Sequence, residues 1–248
     1  MARVILEICA DSPEGLAAAI EGGADRIELC AALNLGGLTP SPGMIEKARK
    51  ARIPVVAMVR PRAGDFVYGP DDLEVMEADI GAIRAAGLSG VVFGASRPDG
   101  RLDEASLARL VAVAGDLELT LHRCFDLVPD RAEAMEVAVR LGFARILTSG
   151  GATTATAGYH DIADMIALAR GRIAIMPGSG ITPSNAGSLL ERLPVTDIHA
   201  SCGARLGVAP RTVTLGFATG TEKQTEASRV RALKQAVTRN GAPKLRTS

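Results

Sequence analysis

A closed (β/α)8 barrel, the TIM-barrel class, is the fold the sequence predicts, and three observations carry that prediction. Short β-rich apolar runs recur eight times along the 248 residues. Longer segments of helical period separate them. No Pro/Gly/Ser-rich linker or shift of composition divides the chain, whose length suits a barrel of roughly 200–250 residues. Alternation of strand and helix calls for a parallel sheet covered by helices, and eight units in this length favour closure over an open doubly wound sheet. Residues 1–248 are therefore read as a single domain.

The elements follow in order. VILEIC (4–9) is the first strand, and Ser12-Pro13 supplies an N-cap with proline at the first helical position. RIELC (26–30) is the second, and Ser41-Pro42 repeats the same helix start. VVAMVR (55–60) leads into a helix over roughly 71–86, whose stripe of Leu73, Met76, Ile80 and Ile83 faces a core. Gly87 supplies the left-handed residue that stops it. The remaining strands are GVVFG (90–94), LELTLHR (117–123), RILTSG (145–150), IAIMPG (173–178) and DIHAS (197–201). Val230, Leu233 and Val237 keep helical spacing in a segment rich in Lys and Arg, which predicts a closing helix over about 226–238. Residues 203–225 between are the least legible, and the last eight residues read as a frayed tail.

Composition removes several function classes. The 28 basic residues are balanced by 28 acidic ones, so no basic field draws in nucleic acid or an anionic membrane. Aromatic residues are 3% with no Trp, which leaves no platform for stacking bases. No apolar run approaches the roughly 18–20 residues of a membrane span, and the N-terminus enters a strand without a leader pattern. The expected location is cytoplasmic, with the four cysteines as free thiols.

Strand residues alternate between the barrel interior and the helix-covered outside. On the first strand Leu6 and Ile8 belong under the helices, which turns Glu7 and Cys9 inward. On the second, Ile27 and Leu29 face out, while Arg26, Glu28 and Cys30 face in. The same parity turns Met58, Arg60, Thr120, His122, His199 and Ser201 inward. Interior charges must pair or stay wet, and barrel chemistry sits at the C-terminal strand ends. Glu7, Glu28, Arg60, His122, Asp126 and His199 are therefore the candidate pocket residues. A purely structural role stays open for Arg26, which can close the barrel bottom against Glu7 or Glu28.

ILEICADS, GGADRIELCAALNLGGLTPS, MVRPRAGDF, MEADI, HRCFD, RILTSGG and HAS (199–201) together resemble the CutC family of copper-homeostasis proteins over roughly residues 3–201. The resemblance implies a cytoplasmic, homo-oligomeric TIM barrel associated with copper. Carried across by position, its residues are Glu7, Cys9, Glu28, Cys30, Arg60, Arg62, Asp65, His122, Arg123, Asp126, His199 and Ser201. Cys124 and Leu121 depart from the family pattern, and Cys202 is an additional thiol.

Three readings stay open. In the first the chain binds Cu(I), which prefers soft sulfur donors, with Cys9 and Cys30 as ligands from neighbouring strands about 4.8 Å apart. The compact CxxC spacing of many metal sites is missing, and a buried cysteine is often only a small hydrophobe. In the second the chain is an isomerase- or lyase-like enzyme moving protons on a small anionic or phosphorylated substrate. Arg60 is then the anion clamp, Asp126 orients His122, and Ser149, Gly150, Gly178, Ser179 and Gly180 form an anion-binding rim. Schiff-base chemistry is disfavoured because none of the five lysines falls inward on a strand. In the third the chain is a non-catalytic scaffold. No cofactor other than copper is expected, and the partner is a small molecule or a metal ion.

Overall fold

Parallel strands alternate with helices from the first turn of the chain. The computed structural model describes residues 3–240. Its barrel strands are β1 (Ile5–Ala10), β2 (Arg26–Leu29), β3 (Val55–Met58), β4 (Gly90–Phe93), β5 (Glu118–Leu121), β6 (Arg145–Thr148), β7 (Ala174–Pro177) and β8 (Asp197–Ala200). They form one sheet in the order β7-β6-β5-β4-β3-β2-β1-β8, every ladder parallel. β7 and β8 lie side by side and bring the sheet round into a nearly closed TIM barrel.

The helices are α1 (Pro13–Glu21), α2 (Pro42–Ala48), α3 (Pro70–Ala85), α4 (Glu104–Ala114), α5 (Arg131–Arg140), α6 (Tyr159–Ala169), α7 (Ala186–Arg192), α8 (Pro210–Thr214) and α9 (Ala227–Asn240). Ser12 and Ser41 cap α1 and α2, their hydroxyls accepting from the amides of Gly15 and Met44. α3 buries Leu73, Met76, Ile80 and Ile83, and Gly87 follows it at φ 76°. α9 buries Val230, Leu233 and Val237 and packs on α1 and α7, completing the helical layer. Its approach to the end of α1 depends on Gly22, where an added Cβ would lie 2.4 Å from Val230. The tail anticipated from the sequence falls outside the described residues.

Two clusters of buried side chains express the strand alternation. Leu6, Ile8, Ile27, Leu29, Ile146 and Ile198 join the helices in the large outer core. Cys9, Cys30, Val56, Met58 and Val92 form a separate cluster. Cys9 therefore faces inward, and Glu7 and Glu28 face the same way, since both meet His199.

The illegible stretch after β8 is a small excursion. β9 (Gly203–Arg205) and β10 (Lys223–Thr225) pair antiparallel with α8 between them. Each strand has only three residues and no apolar face, so hydrophobic periodicity had nothing to register. The ribbon is tied to the barrel where the Thr225 hydroxyl donates to the Cys9 carbonyl at 3.1 Å. Among the described residues no helix is long and apolar enough to cross a membrane.

Candidate functional site

An ionic layer supports the site from below. The Arg26 guanidinium donates to Glu7 at 2.5 Å and to Asp197 at 2.7 Å, with all three side chains buried. Arg145 lies 3.7 Å from Asp197, donates to Thr120 at 3.0 Å, and also meets Glu118. Arg26 thus has the structural role left open for it, with Glu7 and Asp197 as its partners. Neighbouring strands place these groups by register, since Glu7 stands beside Arg26 on one side and His199 on the other.

Glu7 links that layer to the cavity above. Its Oε1 lies 2.8 Å from Nδ1 of His199. Burial by itself would raise the Glu7 pKa, but the hydrogen bonds and positive charges of His199 and Arg26 outweigh it and hold the carboxyl at about 2. His199 is displaced well upward: burial opposes its charge, and Cys9, Glu28 and Glu7 together overcome that.

Above this pair the sequence places soft and hard donors side by side. Ladder register sets Cys9 beside Glu28, and a ligand atom from each lies within 4.8 Å of the other and of a His199 ring nitrogen. All three residues are buried. Glu28 Oε1 has no hydrogen-bond partner among the described residues, whereas its Oε2 accepts from the Cys30 thiol at 3.5 Å. Burial pushes both thiols up, Cys30 further than Cys9. Glu28 is also raised by burial, with His199 pulling it partly back. Met58 adds a thioether to the same buried cluster as Cys9 and Cys30.

The cavity over these groups has a volume of about 470 Å³ and opens at the C-terminal ends of the strands. Arg60, Phe66 and His122 form its other side. Phe66 touches both neighbours, with the Arg60 guanidinium 5.0 Å and the His122 ring 4.6 Å from its ring centre. His122 is buried and held neutral, its pKa lowered to about 3 by burial and by the Arg60 charge. Gly94 allows the ring to sit there, because a Cβ at this position would lie 2.8 Å from it and 2.3 Å from Cys124 Sγ.

The family model for the CutC family matches residues 4–204, which spans the barrel, the site and the start of the ribbon. The chain belongs to the CutC family. A CutC family protein of Sinorhizobium medicae is 57% identical over 235 residues, covering 94% of this chain and 96% of that protein. The human copper homeostasis protein cutC homolog is 45% identical over 202 residues, covering 81% and 73%. A CutC crystal structure from Streptococcus agalactiae superposes with a TM-score of 0.77 at 30% identity, covering 80% of this chain and 98% of its own.

Within this CutC barrel the six candidate pocket residues and the two candidate copper ligands divide into three groups. Cys9, Glu28, Arg60, His122 and His199 line the cavity. Glu7 and Cys30 lie directly behind it, as the partners of His199 and Glu28. Asp126 stands apart and makes no hydrogen bond with His122. Its carboxylate accepts from the Thr148 hydroxyl, from the amides of Ser149 and Gly151, and from Arg123. The imidazole Nδ1 of His122 instead accepts from the Cys124 amide.

The expected anion rim is reorganised for the same reason. Asp126 already occupies the Ser149 and Gly151 amides as an internal anion, and the Gly150 amide donates to Thr148 Oγ1. The Gly178 amide donates to the Thr148 carbonyl, and its missing side chain makes room for Leu147 and His199. Of the five rim residues, Ser179 and Gly180 reach the cavity.

Sequence reasoning missed Phe66, Lys223 and Arg229, which also line the cavity. Phe66 sits in a loop without periodicity, and the other two reach the rim only through the ribbon and α9. Cys202 lines the cavity as well, from a left-handed backbone at φ 48° that strand parity does not anticipate.

Proposed function

We propose that this CutC-family protein binds Cu(I) at the mouth of its barrel. Cys9 supplies the first thiolate, His199 the imidazole and Glu28 a carboxylate, with Cys30 as the adjacent second thiol. The observation that carries the reading is the buried convergence of Cys9, Glu28 and His199, with Glu28 Oε1 left without a partner.

The surroundings fit a metal in two further ways. A carboxylate on His Nδ1 is a recurrent arrangement behind metal ligands, since it fixes the ring and leaves Nε2 for the ion. Glu7 makes that contact here. One thiolate, one carboxylate and one imidazole would also serve Zn²⁺ on donor type. Cys30 and Met58 beside them shift the preference toward a soft monovalent ion. The thiols are protonated by burial in the free protein, so uptake releases protons and strengthens as pH rises.

The four cysteines are unpaired, which supports a reducing, cytoplasmic setting. Competition titration of reduced protein with a Cu(I) chelator tests the reading. One equivalent is expected to bind, with at least about a hundredfold loss in the Cys9→Ser/Cys30→Ser double variant. Unchanged affinity in that variant disposes of the proposal.

A further inference from the structure

Across the cavity from the thiols stands a buried cation that meets no carboxylate among the described residues. Arg60 is 5% exposed and lines the cavity. Its Nη1 donates to the carbonyls of Leu35 and Gly37 at 2.8 and 3.1 Å, and its Nη2 donates to that of Gly64 at 2.8 Å. A guanidinium has five N–H donors, so these three bonds leave Nε–H and one Nη2 hydrogen. Nε has no partner. Carbonyls orient the group without neutralising it, and an uncompensated buried charge is unfavourable.

His122 provides a second donor beside it. The ring is neutral, and its Nδ1 receives the Cys124 amide at 3.2 Å. A neutral imidazole carries one proton, which therefore resides on Nε2. Nε2 is buried and unpartnered among the described residues, and the residue lines the cavity at 3% exposure. Two unsatisfied N–H donors, one of them charged, thus flank the same aromatic ring, Phe66.

The other cations on the cavity wall are differently placed. Arg123 is bonded to Asp126, Arg229 pairs with Glu226, His199 pairs with Glu7, and Lys223 is exposed at the rim. Among the described residues Glu28 is the only carboxylate lining the cavity, and it lies with the thiols. The volume suits a small organic molecule, and Leu33, Phe66, Leu147 and Ile181 give the wall an apolar portion.

We propose that this side of the cavity binds a small organic oxyanion. Its carboxylate or phosphate sits on Arg60 Nε–H and His122 Nε2–H, and its apolar body lies against Phe66. The site uses none of the proposed copper ligands and stands or falls separately from copper binding.

An NMR titration of the metal-free full chain tests this, following the Arg60 Nε–H and His122 Nε2–H resonances. The probes are benzoate, phenyl phosphate and the neutral isostere benzamide. At least one anion is expected to shift both resonances along one saturation curve, and benzamide neither. The tighter of the two anions then assigns carboxylate or phosphate as the preferred head group. Arg60→Gln is expected to weaken binding at least about tenfold and His122→Phe at least about fivefold. Arg172→Gln, a surface charge control, stays within about twofold. Because Arg60 also ties three loop carbonyls, His122→Phe decides the matter if the Arg60 variant does not fold. The proposal is overturned if neither anion saturates by about 10 mM. Equal binding of benzamide, or unchanged affinity in His122→Phe, overturns it too.

Discussion

Glu7 and His199 share a 2.8 Å contact that joins the ionic floor of the barrel to the donor cluster above it. One carboxylate therefore serves two structures at once. It neutralises Arg26 below and fixes the His199 ring above. Glu7→Gln keeps the shape and removes the charge. It is expected to weaken Cu(I) binding by roughly 10–100-fold while one equivalent still binds, as chelator competition would show.

Removing the cation under that pair has a different consequence. Arg26→Met leaves Glu7 and Asp197 buried without their common partner. A loss of about 3–5 kcal/mol is expected in urea unfolding, because the stranded charges keep their desolvation cost. A loss within experimental error would mean that Arg145 can take over Arg26's role.

Much of this layer was legible beforehand, and the reason is the two-residue period of a strand. Leu6 and Ile8 lie under helices, so Glu7 and Cys9 face inward, as the inner cluster shows for Cys9 and the contacts with Arg26 and His199 show for Glu7. Asp126 was not legible in the same way. Which donors the Asp126 carboxylate meets depends on how the loop after β6 folds, and here the Ser149 and Gly151 amides close on it. The β9–β10 ribbon escaped because three-residue strands without an apolar face leave no periodic trace.

That internal anion predicts a loop defect. Asp126→Asn removes the charge that gathers Thr148, Ser149 and Gly151, and should cost about 2–3 kcal/mol. Amide hydrogen exchange should quicken at Ser149 and Gly151, with Cu(I) affinity unaltered. Unchanged protection at those amides would contradict the assignment.

His122 gives the protein an acid-sensitive term. Its folded pKa of about 3 lies below the ordinary value of 6.5, so on acidification the unfolded chain takes up the proton first. The contribution is complete above about pH 6.5 and is lost progressively as pH falls toward 3. Between about pH 6.5 and 4.5 the wild type should lose about 2–3 kcal/mol more than His122→Phe in paired denaturation curves. Parallel curves would show that the ring is not held neutral.

Gly94 is expected to tolerate no side chain. A methyl group there would press on Cys124 Sγ and the His122 ring, so Gly94→Ala should destabilise the fold by about 1–3 kcal/mol in thermal or urea unfolding. A neutral result would require the His122 wall to yield without cost.

The central claim concerns which side chains touch the metal, and anomalous scattering at the copper edge addresses it most directly. Crystals of reduced protein loaded with one equivalent of Cu(I) should show a single peak bounded by Cys9 Sγ, Glu28 and His199 Nε2, within reach of Cys30. No peak in the barrel, or one confined to surface residues, would contradict the account.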